Sequence, residues 1–370
     1  MVASISARGG VDAALGYYEH LGQDDYYLRE GEPPGWWAGE GAARLSLSGP
    51  LTRSEFEAAL TGIDPKTGAR LAALGGKQQN LTAGWDVTFS APKSVSVLWA
   101  LSEPGDRPAI ERAHRVAVAA ATTHLERTAA WARRGKGGAI REQAAGLLMA
   151  RFDHHTSRDL DPQLHSHVFV LNLAPRKDGT WGAIVSRELY KAQKQAGAIY
   201  RTVLAAEVER TGYAVERSPD SFRVCTIPRD IERAFSKRRQ AIEAAAETYG
   251  YKSAKGMELA ALRTRRAKRD VQRDALFETW RSEARVHGYE LRRETIRRSP
   301  EPQTVEPEKL GLDRQPSRSP TRPNVAAASN ARLDRAAGKL ASAARVMDQR
   351  AEMPGLAVDL DQHRRERDRH

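Results

Sequence analysis

Two short apolar segments that flank a histidine-rich turn constrain this chain more than any other stretch. The mostly apolar residues 147–152 lead into a pair of histidines, a polar Asp161-Pro162 turn follows, and the second segment begins with His165-Ser-His167. Segments this short, bounded by a proline-containing turn and rich in Val and Phe, predict two neighbouring β-strands.

The predicted strands bring histidines together. Because side chains along a strand alternate between faces, His165 and His167 point the same way, and the turn can bring His154 beside them. Three converging imidazoles suit a divalent metal ion with coordination positions left open for a substrate oxygen. The alternative is that a His-x-His pair at a strand edge is solvated or hydrogen-bonded without a metal. These residues alone leave both interpretations open.

The charge balance favours a polyanionic partner. The 370 residues are enough for one large domain or two ordinary ones, and 59 Lys and Arg against 47 Asp and Glu leave a net charge of +12. A balance of this size indicates nucleic acid first, although a merely basic soluble protein has the same composition.

The cysteine count and the apolar runs bear on the compartment. A single cysteine, Cys225, excludes a disulfide framework or a cysteine-based zinc site within one chain. The N-terminus lacks the apolar core of a signal peptide, and no apolar run approaches the roughly 18–20 residues that span a bilayer. We therefore expect a cytoplasmic protein without membrane insertion.

Two tyrosine pairs near the N-terminus are candidate nucleophiles. A short acidic segment separates Tyr17-Tyr18 from Tyr26-Tyr27, and Asp12 can cap a short helix that carries the first pair. Aromatic packing explains any one tyrosine, but paired tyrosines in a polar segment are less easily explained as core. A phenol has a pKa of about 10, so a nucleophilic tyrosine needs a nearby metal or base.

A further strand-like segment carries a candidate carboxylate. Alternation places Asp86, Thr88 and Ser90 on one face. Asp86 can orient a metal-bound histidine or accept a proton from a nucleophile, whereas on its own it is equally an ordinary surface aspartate. Lys93, which follows Ser-Ala-Pro, can present its ammonium to a phosphate.

Periodicity and turn signals predict mainly helices and hairpins elsewhere. Helices are expected at residues 53–60 (capped by Thr52), 107–133, 188–210, 229–249, 256–268 and 270–287. Hairpins are expected around Asp178-Gly179 and Ser218-Pro-Asp220, and residues 31–52 form a predicted loop. The chain contains no Gly-x-x-x-x-Gly-Lys-[Ser/Thr] motif, so no nucleotide-hydrolysing motor is indicated.

Four motifs in order carry a family resemblance. After the tyrosine pairs come Trp37-Ala-Gly-Glu-Gly-Ala, Asp86-Val-Thr-Phe-Ser-Ala-Pro-Lys-Ser-Val-Ser, and Phe152-Asp-His-His-Thr-Ser-Arg with Asp161-Pro-Gln-Leu-His-Ser-His. Together they resemble the nicking domain of conjugative relaxases of the MobF class, the TrwC-type branch of the HUH endonucleases.

The resemblance implies a fold and a domain plan. It implies an α+β fold with an antiparallel, palm-like sheet and helices mainly on one face, covering residues 1–295 and ending in a helical basic region. Residues 296–325 are rich in Pro, Ser and Arg and predict a disordered linker, and residues 326–370 form a tail that is partly helical.

The resemblance also implies strand-specific nicking at an origin of transfer, with a 5′-phosphotyrosyl DNA adduct. Tyr17 then matches the first nucleophile and Tyr26 the second, His154, His165 and His167 match the metal ligands, and Asp86 matches the carboxylate behind them. The residue after His154 is a second histidine, His155, which departs from the family pattern. The resemblance therefore leaves open whether His154 or His155 is the third ligand. The family suggests Mg²⁺ or Mn²⁺, whereas three imidazoles also suit Zn²⁺.

The implied partner is origin-of-transfer DNA, a hairpin plus a single strand. Candidate contacts are Lys77, Gln78, Lys93, Arg176, Lys177 and the basic residues 263–269. Family members usually continue into a helicase, which is not evident here, so we expect either that the protein acts without one or that a separate helicase supplies it. A conjugative secretion apparatus is a further implied partner.

Two rival functions remain. A rolling-circle replication initiator of the HUH type shares this chemistry, but its tyrosine typically follows the histidines, whereas here both pairs precede them. A non-catalytic origin-binding protein would not need Tyr17, Asp86 and three histidines, all of which are present.

Overall fold

The computed structural model describes residues 3–16, 35–72, 82–264 and 273–291, together with 338, 341, 342 and 345. The strands are β1 (Ala3–Gly9), β2 (Trp36–Ala38), β3 (Thr82–Ser90), β4 (Trp131–Arg134), β5 (Ile140–Gln143), β6 (Met149–Thr156), β7 (Pro162–Leu171), β8 (Ala174–Pro175), β9 (Trp181–Gly182), β10 (Val215–Arg217) and β11 (Phe222–Val224). The helices are α1 (Glu40–Arg44), α2 (Arg53–Leu60), α3 (Lys93–Leu101), α4 (Arg107–Ala129), α5 (Ser186–Arg210), α6 (Arg229–Ala234), α7 (Lys237–Thr248), α8 (Ala254–Arg263) and α9 (Arg273–Val286). Residues 11–16 are also helical.

A five-stranded sheet in the order β1-β3-β7-β6-β2 forms the centre of the fold. Every neighbouring pair is antiparallel, which confirms the predicted α+β class with an antiparallel sheet. The two predicted histidine strands, β6 and β7, are neighbours in which His154 lies opposite His165, with a register shift between His154 and Thr156.

The long helices α4 and α5 pack against one face of this sheet. Strand alternation turns Val87 and Phe89 toward them, where both are 0% exposed. These side chains share one apolar core with residues of both helices, including Ile110 and Tyr200. Each large side chain buried in this way stabilises the fold by about 1.5–3 kcal/mol, so packing rather than helix capping holds the helices to the sheet.

A second apolar cluster covers part of the other face. Phe56 of α2 lies against Phe152 and Phe169 of the sheet, at ring-centroid distances of 6.4 and 5.5 Å. On β6, His154 lies two residues beyond Phe152, and on β7, His167 lies opposite Phe152 and His165 lies opposite His154. The cluster therefore covers one end of this face and leaves the histidines at the other.

One predicted helix end was wrong because the residues there pair with segments distant in the sequence. The helix expected at 107–133 ends at Ala129, and its last residues form β4, which pairs with the unpredicted β5. The backbone N–H of Arg133 donates to the Ala183 carbonyl at 2.8 Å, and that of Val185 donates to Trp131. Bonds to a distant segment thus outweigh the helix propensity of this Ala- and Arg-rich stretch.

Other predictions fared unevenly. The predicted loop at 31–52 contains β2 and α1, and the helix predicted at 229–249 is two helices, α6 and α7. Both predicted hairpins are present, as β8–β9 and β10–β11. The predicted linker and almost all of the tail lie outside the described residues, so those domain limits stay predictions.

Of the helices in the described ranges, none is both long enough and apolar enough to cross a membrane.

Candidate metal centre

Three histidines meet on the face of the sheet opposite α4 and α5. His154 comes from β6, and His165 and His167 come from β7. Their ring centroids are 5.1 to 5.2 Å apart, and one ligand atom from each lies within 4.8 Å of the others. The structure therefore brings together the three candidate ligands named from the sequence.

Hydrogen bonds fix which ring nitrogen of two histidines carries the proton. The Nδ1 of His165 lies 2.9 Å from the Gln163 carbonyl, and the Nδ1 of His167 lies 3.0 Å from both carboxylate oxygens of Asp86. A carbonyl and a carboxylate only accept, so both Nδ1 atoms donate and the lone pairs reside on Nε2. This tautomer prepares an imidazole for a metal ion.

Asp86 is itself held from several sides. Its side chain is 3% exposed, and Arg8 of β1 forms an ion pair with it at 3.3 Å. The Oγ1 of Thr88 lies 3.4 Å from both carboxylate oxygens and 3.1 Å from the Nδ1 of His167. A buried carboxylate with this many partners is suited to orienting an imidazole.

The electrostatics of the cluster favour a neutral His165 ring. Burial lowers the pKa of His165 well below its usual value, and the neighbouring His154 and His167 lower it further. A neutral imidazole keeps the lone pair that a metal ion requires. Three imidazole nitrogens at this spacing fit one divalent cation.

His155 is separated from this cluster. Its ring stacks on Trp99 at a centroid distance of 5.0 Å, and its Nε2 lies 3.8 Å from the carboxylate of Glu111. His154 therefore joins the cluster, while His155 packs against α3 and α4. Of the two neighbouring histidines, the structure thus places His154 beside His165 and His167.

The three candidate DNA contacts that the structure describes differ from one another in their surroundings. The ammonium of Lys93 donates to the Pro162 carbonyl at 2.9 Å, and burial lowers its pKa to about 8, so it supports the start of β7. Arg176 forms an ion pair with Glu142 at 3.0 Å, and Lys177 is exposed in the adjacent turn. Whether these three residues meet DNA stays a prediction.

The remaining candidates lie outside the described residues, namely Tyr17, Tyr18, Tyr26, Tyr27, Lys77 and Gln78. The last described residue of the helical segment 11–16, Gly16, immediately precedes Tyr17 in the chain, and Ala14 and Leu15 belong to the second apolar cluster. The chain thus reaches the sheet face that bears the histidines immediately before the candidate nucleophile.

Arg8 is a site residue that the sequence did not reveal. It lies 78 positions from Asp86, and only the pairing of β1 with β3 makes them neighbours. No local pattern signals such a contact before the strand order is known.

The antiparallel sheet carries a His-x-His pair, a third histidine on the adjacent strand and a carboxylate behind them. This combination is the architecture of the HUH endonucleases. A family model described as TrwC relaxase matches residues 11–287, and the chain belongs to that family. This agrees with the resemblance noted in the sequence and disfavours a replication initiator.

A curated relative is the multifunctional conjugation protein TraI of Escherichia coli, 34% identical over 299 residues. The match covers 78% of this chain but only 16% of that relative, so this chain spans about a sixth of its length.

Solved structures of TrwC are similar over the same region. Conjugative relaxase TrwC in a metal-bound complex with oriT DNA superposes with a TM-score of 0.68 and 32% identity, covering 78% of this chain and 99% of that one. TrwC with a 27-mer DNA comprising the recognition hairpin and the cleavage site gives 0.67 and 30%, with the same coverage.

Proposed function

We propose that this chain nicks one strand of plasmid DNA at an origin of transfer and becomes joined to the 5′ phosphate through tyrosine. The carrying observation is the cluster of His154, His165 and His167 with Asp86 behind it, in a chain of the TrwC relaxase family. TrwC complexes with oriT DNA support the choice of substrate.

The three histidines would hold one divalent cation through nitrogen lone pairs. When bound, the cation offsets the negative charge of the scissile phosphate and polarises it toward attack. Three imidazoles suit Mn²⁺ or Zn²⁺ better than Mg²⁺ by ligand preference, and the family favours Mg²⁺ or Mn²⁺. Metal-bound and copper-bound TrwC structures support a divalent metal without selecting one.

Tyrosine supplies the covalent chemistry. The phenol oxygen of Tyr17 attacks phosphorus, the new bond joins tyrosine to the 5′ phosphate, and the bond to the 3′ oxygen breaks. The phenol proton passes to solvent, and the leaving 3′ oxygen takes up one proton to become a hydroxyl. Tyr26 supplies a second nucleophile, so that a second transfer can follow before the first strand is released.

Asp86 serves as a positioning residue in this proposal. Its carboxylate is already engaged by His167, Arg8 and Thr88, which favours orienting the imidazole over accepting the phenol proton. A phenol with a pKa of about 10 also makes proton transfer to an ordinary carboxylate unfavourable.

Origin DNA is the proposed partner, with a folded hairpin and an adjacent single strand. Lys77, Gln78, Lys93, Arg176 and Lys177 are the proposed contacts. A conjugative secretion apparatus and a cytoplasmic site of action belong to the same proposal.

The test uses labelled single-stranded oligonucleotides tiled across the candidate origin, incubated with Mn²⁺ and resolved by denaturing electrophoresis. Wild-type protein should give a cleaved strand and a covalent adduct. The double variant His165→Ala/His167→Ala should lose nicking, as should EDTA-treated wild type, with DNA binding largely kept. Full nicking by either would refute the metal centre.

Tyr17→Phe tests the nucleophile. Because phenylalanine has no hydroxyl, this variant should leave no adduct, whereas Tyr190→Phe on the surface of α5 should retain it. An undiminished adduct that mass spectrometry maps to Tyr18 or Tyr26 would show that the first nucleophile is misassigned.

A further inference from the structure

A chain of polar side chains lies behind the histidines, on the other face of the sheet. Asp153 of β6 and Ser166 of β7 are opposite each other, next to the His154 and His165 pair. By strand alternation their side chains point away from the metal centre, toward α4 and α5.

The distances define a continuous chain of hydrogen bonds. The Oγ of Ser166 lies 2.6 Å from Oδ1 of Asp153 and 2.8 Å from Nε2 of His114. The Nδ1 of His114 lies 2.8 Å from the hydroxyl of Tyr200. Two strands and two helices are thereby connected through side chains alone.

Donor and acceptor chemistry gives the chain one direction. The carboxylate of Asp153 only accepts, so the Ser166 hydroxyl donates to it and then accepts from the Nε2–H of His114. Burial lowers the pKa of His114 to about 4, although Asp153 opposes this, so the ring is neutral and its Nδ1 accepts from Tyr200. Every hydrogen in the chain has an acceptor.

Such a chain stabilises a core less than apolar side chains of the same size would. Ser166 and Tyr200 are 0% exposed and His114 is 4% exposed, and buried polar groups contribute little net stability compared with apolar packing. Its hydrogen bonds do, however, restrict how β6 and β7 can move relative to α4 and α5. Metal–ligand distances in protein sites lie within about 0.2 Å of their usual values. The relative position of the two strands therefore affects how well the three histidines can bind a metal ion.

We propose that His114 and Tyr200 are positioning residues for the metal centre, which set β6 against β7 and thereby the spacing of His154 from His165 and His167. This inference rests on the proposed function, because it requires that the three histidines bind a cation.

Tyr200→Phe is the sharpest test, since it keeps the ring and removes only the hydroxyl that donates to His114. The dissociation constant for Mn²⁺, measured by calorimetry on folded, DNA-free protein, should rise by roughly 3- to 10-fold, as expected for loss of one buried hydrogen bond. The nicking rate at saturating Mn²⁺ should change far less.

Two further variants act on the strand end of the chain. Ser166→Ala should weaken Mn²⁺ binding in the same way, and Ser166→Thr, which keeps the hydroxyl, should restore much of it. Tyr200→Phe added to Ser166→Ala should weaken binding by less than the product of the single effects, because one chain is broken twice.

The matched control is Thr122→Val. Thr122 is also a buried hydroxyl of α4, but it donates to the Val118 carbonyl and lies off the chain. Its replacement should leave Mn²⁺ affinity unchanged even if the melting temperature falls. Equal weakening of Mn²⁺ binding by Thr122→Val would overturn the inference, since the effect would then be general to the core.

The outcomes separate the inference from the proposed function. If wild type binds Mn²⁺ and His165→Ala/His167→Ala does not, while Tyr200→Phe and Ser166→Ala bind as wild type does, only the positioning role is overturned. If wild type binds none of Mn²⁺, Mg²⁺ and Zn²⁺, or the double histidine variant binds Mn²⁺ as well as wild type does, the metal centre itself is refuted and the inference falls with it.

Discussion

At the scale of single residues, strand alternation places Asp86 where its carboxylate contacts one of the candidate metal ligands. The same face of β3 carries Asp86 and Thr88, and Thr88 lies opposite His167 of β7. The carboxylate therefore reaches the imidazole from behind, and Arg8 holds it from the neighbouring strand. A change at Asp86 should act on the orientation of His167 before it acts on the reacting phosphate.

Asp86→Asn should keep adduct formation but require about 10- to 100-fold more Mn²⁺ for half-maximal rate, the usual cost of losing a partner of a metal ligand. Initial nicking rates measured against Mn²⁺ concentration test this. Asp64→Asn, in a surface turn near α2, is the control and should behave as wild type. An unchanged metal requirement with a collapsed rate at saturating Mn²⁺ would instead make Asp86 the general base.

His114 should make stability depend on pH. Burial, the largest cause, lowers its folded pKa to about 4 from 6.5, Asp153 opposes the shift, and His155, Arg151 and Arg115 reinforce it. The unfolded histidine then takes up its proton first as pH falls. Stability is therefore full above pH 6.5 and is lost between 6.5 and about 4, by roughly 3 kcal/mol at most.

Urea unfolding at several pH values measures this loss. His114→Gln cannot titrate, so its unfolding free energy should fall less steeply than that of wild type between pH 6.5 and 4. His124 and His165, whose pKa values are also lowered, are present in both proteins, and most of their contribution cancels in the difference because His114 is the smallest of the causes given for His165. Parallel curves for the two proteins would contradict the role of His114.

At the scale of elements, α9 closes the core at the turn between β6 and β7. Trp280 packs against Trp99 at a centroid distance of 5.9 Å, and its indole N–H donates to the Leu160 carbonyl at 2.8 Å. Phe277 packs on the same Trp99. The helix thereby holds the loop that leads from His154 to His165.

Trp280→Ala should destabilise the protein by about 3–5 kcal/mol, because a buried indole and one hydrogen bond are removed together. Thr279→Ala, one position away on the exposed side of α9, should change stability by no more than about 0.5 kcal/mol. Chemical unfolding of both variants provides the measurement. A loss for Trp280→Ala no larger than that for Thr279→Ala would mean that α9 does not contribute to the folded core.

At the scale of the whole molecule, the net charge of +12 should govern DNA affinity. Each phosphate neutralised by Lys or Arg releases counterions, so log affinity should fall steeply and linearly with log salt concentration. Fluorescence anisotropy with an oligonucleotide that contains the hairpin and the adjacent single strand tests this. An oligonucleotide without the hairpin should bind more weakly, and a flat dependence between low and physiological salt would contradict the prediction.

The sequence by itself determined what depends on neighbours along the chain. Alternation alone placed His165 and His167 on one face, and it placed Asp86 with Thr88, as the strand register shows. The cap of α2 was equally local, since Thr52 accepts from the backbone of Glu55 and the Glu55 side chain accepts from that of Thr52. Such features need only strand and helix geometry, which every chain shares.

Tertiary structure alone decided what depends on partners distant in sequence. Which of His154 and His155 faces the cluster follows from the register of β6 against β7, which pairs His154 with His165, and the contact of Arg8 with Asp86 follows from the order of the strands. The same holds for β4, which forms a strand because Ala183 and Val185 accept and donate hydrogen bonds beside it. A local pattern cannot encode these outcomes, because a one-residue change of register moves every side chain of a strand to the opposite face.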